Sequence, residues 1–103
     1  MNALVHLIAF WSAYFVSSQG SSIIRVEVRD RLIELLDALP SSFEGAVELR
    51  GQATMLAENA ALGVEHPFNQ AMFAFMLEYE KEIPAEFREN VDNIKMFFRS
   101  CCD

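Results

Sequence analysis

Apolar side chains in this chain return every three or four positions, stretch after stretch, and that period builds helices and leaves little room for sheet. Leu4, Leu7, Ile8, Trp11, Tyr14 and Phe15 share one face of a first segment. Ile24, Val28, Leu32, Leu35 and Leu39 do the same in a second. Phe68, Met72, Phe75, Met76, Tyr79 and Ile83 line a fourth segment, and Phe87, Val91, Ile94, Phe98 and Cys101 a fifth. The third differs: Ala46, Ala53, Ala57, Ala60 and Ala61 give it a slim surface that lets another helix approach closely.

Turn-forming residues separate the segments. Ser17, Ser18, Ser21 and Ser22 with Gly20 close the first helix and supply an N-cap for the second. The second is expected over about residues 23–38, stopped by Leu39-Pro40. Its opening, residues 24–28, also alternates as a strand would, but the continuation to Leu39 favours helix. Ser41-Ser42-Phe43-Glu44 has the form of a capping box, and Gly63 suits the end of a third helix near Leu62. Pro67 and Pro84 sit where a first helical turn accepts proline, starting a fourth helix that ends near Glu82 and a fifth that ends near Ser100. The expectation is all-α: a compact bundle of about five short helices, with residues 1–103 as one helical domain. With 52% hydrophobic residues, nine of them Phe and five Met, the chain can build a core without disulfides or metal.

Residues 3–16 are nearly all apolar but read as a core helix, not a leader or a membrane span. No Lys or Arg precedes Arg25, and the stretch is shorter than the roughly 20 residues a bilayer needs. The adjacent Cys101 and Cys102 have no other cysteine to pair with, which points to a reducing, cytoplasmic setting.

Fifteen acids against eight bases set the formal charge at −7, which disfavours direct contact with nucleic acid or anionic lipid. The would-be reading helices of a helix-turn-helix carry Glu44, Glu48, Glu58, Glu78, Glu80 and Glu82 against Arg50 and Lys81. Four carboxylates, Glu27, Asp30, Glu34 and Asp37, recur at i, i+3, i+7 and i+10, a narrow arc opposite the aliphatic side of the second helix. Arg29 and Arg31 are expected on its flanks, leaving an arc of one sign. Such a row is usually a solubilising face; spaced at about 5–6 Å, it also echoes nucleic-acid phosphates and could occupy a basic groove. Arg50 lies at the edge of the third helix's apolar arc, near Phe43, Val47 and Ala57, and either snorkels to water or meets an acid of another helix.

Little in the chain suits catalysis. His6 falls on the small-residue face of the first helix, where a hydrogen-bonded structural role is expected; His66, before Pro67, is placed to cap a helix. No Cys-x-x-Cys, Glu-x-x-His or His-x-x-x-His spacing occurs, and the glycines at 20, 45, 51 and 63 make no phosphate loop. No catalytic residue, metal or cofactor is assigned. Surplus apolar residues, Phe73, Met96 and Phe97, point away from the stripes of their helices and join the acid row as candidate partner-binding residues.

The function expected from these features is that of a small, acidic, non-enzymatic binding protein acting stoichiometrically on a larger protein with a basic surface. Phage inhibitors of bacterial defence complexes, anti-CRISPR proteins among them, and toxin-neutralising immunity proteins share this composition, an analogy and no more. The alternative is a structural or accessory subunit that forms a homodimer or larger assembly through the surface of the fourth and fifth helices.

Overall fold

Nearly every side of the first helix is apolar, and its burial follows. A computed structural model describes residues 3–17, 22–23, 26–56, 61–63 and 65–102. In helix α1 (Ala3–Ser17), Leu4, Val5, Leu7, Ile8, Trp11 and Phe15 are buried. Four further helices follow: α2 (Val26–Asp37), α3 (Ala46–Thr54), α4 (Pro67–Glu78) and α5 (Arg88–Cys102). Helix α1 packs on α2 and α5, α2 on α3, and α3 on α4. Two short 3₁₀ turns, Glu80–Glu82 and Ala85–Phe87, carry the chain from α4 to α5. The fold is all-α, with a radius of gyration of 12.6 Å. No helix among the described residues is long and apolar enough to cross a membrane.

The stripes read from the sequence form the core. Leu32 and Leu35 of α2, Phe68, Met72, Phe75 and Met76 of α4, and Val91, Ile94 and Phe98 of α5 are buried. Ala46 and Ala53 are the buried alanines of α3; Ile24, Ala57 and Ala60 lie outside the described residues. Two polar contacts lie within this apolar mass. Trp11 Nε1 donates to Asn69 Oδ1 at 3.2 Å, and Asn69 Nδ2 donates to the Gly63 carbonyl at 2.9 Å, tying α1 to the start of α4. Ser12, also buried, accepts from Asn90 Nδ2 of α5 at 3.3 Å.

Several boundaries differ from the sequence expectation. Helix α3 ends at Thr54, well short of Leu62, and its last turn tightens. The Met55 and Leu56 amides bond back to Gln52 and Ala53. Arg29 of α2 donates to the Leu56 carbonyl at 3.2 Å, just past the end of this helix. Ala61–Leu62 instead forms β2, which pairs antiparallel with β1 (Ser22–Ile23), Ser22 opposite Leu62. Ser22 therefore serves a small ladder rather than an N-cap, and α2 starts at Val26.

The capping box does not form either. Gly45, with φ of 96°, occupies the N-cap of α3 without a side-chain cap, so the helix begins past Ser41-Ser42. A Cβ there would meet only Phe75 at 3.6 Å; it is the left-handed backbone, not space, that favours glycine. His66 does cap α4 as expected: its Nδ1 accepts from the Phe68 amide at 3.1 Å, one residue beyond Pro67. His6 is exposed rather than a core histidine.

Replacing Asn69 by Ala leaves the buried Trp11 N–H unpaired and removes one of the two donors to the Gly63 carbonyl, which keeps the His66 amide. The expected loss is about 1–3 kcal/mol, against about 0.5 kcal/mol or less for Met96→Ala at the surface. Urea unfolding of the two variants measures the difference.

Candidate partner-binding face

The four acids of α2 are all exposed, as their arc requires, but they do not form a face of one sign. Asp30 meets Arg29 at 3.5 Å and Glu34 meets Arg31 at 2.6 Å. Asp37 pairs with Arg50, which reaches across from α3. Glu27 alone of the four has no ion pair among the described residues. Arg29 and Arg31 therefore fold into the row instead of flanking it, and Arg50 takes the paired role, not the snorkelling one. Exposed pairs of this kind stabilise by about 0–1 kcal/mol, but they blunt the field a phosphate-like row would project.

Acids without an ion pair gather elsewhere. Glu44, Glu48 and Glu78 border a groove of about 410 Å³ between α3 and α4, over small residues Gly45, Ala71 and Ala74. None of the three has an ion pair among the described residues. The charges of Glu78, Glu44 and Glu82 act on Tyr79, whose hydroxyl donates to the Glu44 carbonyl at 3.1 Å. Partial burial and then the charge of Glu78 push its pKa above the ordinary 10.0. The i, i+4 spacing of Glu44 and Glu48 is visible in the sequence, but only the packing of α3 on α4 brings Glu78 beside them.

The surplus apolar residues separate into three situations. Met96 is 63% exposed. Phe97 is half-buried, its ring edge-on to Phe15 at 5.6 Å, and so serves the interior. Phe73 is half-buried too, stacked parallel to Phe98 with ring centroids 4.3 Å apart. Its remaining surface lines a groove of about 500 Å³ between α4 and α5, with Leu77, Phe98, Gln70, Lys95 and Arg99. Leu77, one turn beyond Phe73, is 42% exposed.

Helix α4 thus stands as a ridge between two grooves. Gln70, Ala74, Leu77 and Glu78 are exposed along its crest. Glutamates lie on the α3 side and cations on the α5 side. Lys95 is held by Glu80 at 3.0 Å, whereas Arg99 is exposed with no ion pair among the described residues. Among those residues no group of three or more His, Cys, Asp or Glu is placed to hold a metal ion. Comparison with protein-family models, with curated proteins and with solved structures finds no match to this chain.

Tyrosine ionisation reports on the α3–α4 acids. Because the folded pKa of Tyr79 lies above its unfolded value, its neutral form favours the fold below pH 10, and that contribution is lost as pH rises through the folded pKa. Titration followed by tyrosinate absorbance is expected to show a component above 10.0 that moves down in Glu78→Gln.

Proposed function

We propose that this chain is a small, non-enzymatic binding protein that acts stoichiometrically on a larger protein through the α4 ridge. The observation that carries the reading is the open groove beside it, where Leu77 and the uncovered part of Phe73 offer apolar surface to solvent above the buried Phe98. Apolar grooves rimmed by polar residues mark interaction sites more often than isolated exposed side chains do. Part-buried aromatic rings already held by packing make good anchors, because little side-chain freedom is lost on binding. Both histidines support a non-catalytic reading: His66 spends Nδ1 on capping α4, and His6 is exposed on α1 far along the chain from it.

The partner's basic surface, in this reading, meets Glu44, Glu48 and Glu78 rather than the α2 row, where Asp30, Glu34 and Asp37 already face arginines. Opposite charges on the two sides of α4 would fix the orientation in which a partner straddles it. An inhibitor that covers a nucleic-acid-facing surface, of the anti-CRISPR or immunity-protein kind, is one biological form of this activity, by analogy of composition. A cytoplasmic location belongs to the same proposal and rests on the adjacent Cys101 and Cys102.

A photo-reactive benzoylphenylalanine at Leu77, in the full chain expressed in its native cells, is expected to give a one-to-one adduct with a larger protein. The same group at Glu34 is expected to give none. Adducts at twice the chain mass would favour the homodimer instead, and equal adducts from both positions would remove the ridge as the interface.

A further inference from the structure

We infer that the α4–α5 groove receives an amphipathic segment of another protein, one that sets apolar side chains between carboxylates. The inference rests on the binding-protein reading above and names the chemistry of the segment that docks. The groove floor is apolar, made by Phe73, Leu77 and Phe98, while its α5 edge carries Lys95 and Arg99. These cations are a local exception in a chain of net charge −7. Arg88, Lys95 and Arg99 recur at i, i+7 and i+11 on one side of α5, with Asp92 at i+4 between Arg88 and Lys95. Past Leu77, Arg88 and Lys81 line the adjoining hollow with Ile83 and with Glu80, the acid that pairs with Lys95.

Charge selects the occupant. Arg99 has no ion pair among the described residues, and its planar fork of donors suits a carboxylate in the two-bond geometry that arginine favours. Lys95 gives one of its three donors to Glu80 at 3.0 Å and keeps the others. A second copy of this chain fits poorly. A two-fold contact through the groove would bring each Arg99 and Lys95 toward their own counterparts, between two molecules of charge −7. A small amphipathic acid also fits poorly, because pockets that hold such ligands enclose about 70–90% of their surface, and this groove is open along its length. From Gln70 to Leu77 the floor runs about 10 Å along α4, the rise of two helical turns. A short helix laid in the groove, with anchors one or two turns apart, matches that span.

The test is fluorescence anisotropy of the full chain with two labelled peptides of about 14 residues. Both are helix-forming, with Leu and Phe at i, i+4 and i+7; flanking positions are Glu in one and Lys in the other. The Glu peptide is expected to bind at least about tenfold more tightly than the Lys peptide, with the preference shrinking at high salt. Arg99→Glu, at an exposed position, is expected to reverse the preference, and Leu77→Asp to weaken both peptides, each with an unchanged circular dichroism melt. Equal affinity for the two peptides, no effect of Arg99→Glu, or no binding of either overturns the inference. A Leu77 cross-link to a larger protein in the face of that result would show the segment chemistry wrong and the interface right. Sedimentation showing a dimer that Leu77→Asp dissolves would give the groove to a second copy and overturn it as well.

Discussion

The hydrogen bond from Trp11 to Asn69 is a fixed polar link through the apolar core. It joins two buried side chains separated by 58 positions in the chain and sets α1 against the start of α4. Asn69 then reaches the Gly63 carbonyl, so its amide is used at both ends. A buried polar link of this kind costs little when satisfied and several kcal/mol when broken, and an apolar pair could slide where this one cannot. Its geometry therefore restrains the register of α1 on α4 in a way that interchangeable leucines would not.

Around that link the aromatic residues form two groups, one on each side of α4. Trp11, Phe15, Phe97 and Phe98 join α1 to α5, and Phe73 extends the group onto α4. Phe43, Phe75 and Tyr79 form the second group, against the turn that leads into α3. Ring pairs of this kind add about 0.5–1.5 kcal/mol each beyond the area they bury. Phe73 and Phe75 lie two residues apart and so project to nearly opposite sides of the helix, one toward each group. Helix α4 is held from both flanks, and its crest remains open between two grooves. That is how a helix can be both a structural centre and a surface for a partner.

The charges follow a related division. On α2 and α3, Arg29, Arg31 and Arg50 turn to nearby acids, so the most acidic-looking helix is largely neutralised. Among the described residues, Glu44, Glu48 and Glu78 beside α4 have no ion pair, and neither does Arg99 across the ridge. Net charge alone would have suggested an evenly negative surface. The fold sorts the charges instead, with a cationic edge facing one groove and an acidic one facing the other.

Local rules in the sequence were enough for the helical class, the buried stripes and the His66 cap before Pro67, because each depends on residues within a turn or two of one another. The exposed arc of Glu27, Asp30, Glu34 and Asp37 was legible for the same reason: helical period decides which side faces water. Whether those acids stayed unpaired was not legible, since Arg50 comes to Asp37 only when α3 packs on α2. The reach of Arg29 to the Leu56 carbonyl was likewise decided by tertiary packing, and the β1–β2 ladder joins strands about 40 residues apart. Phe73 could be seen to point away from its stripe, but only the position of Phe98 decided that one face of its ring would be covered and the rest left open. Contacts between distant segments obey no local period, and so the grooves beside α4 belong to the tertiary structure alone.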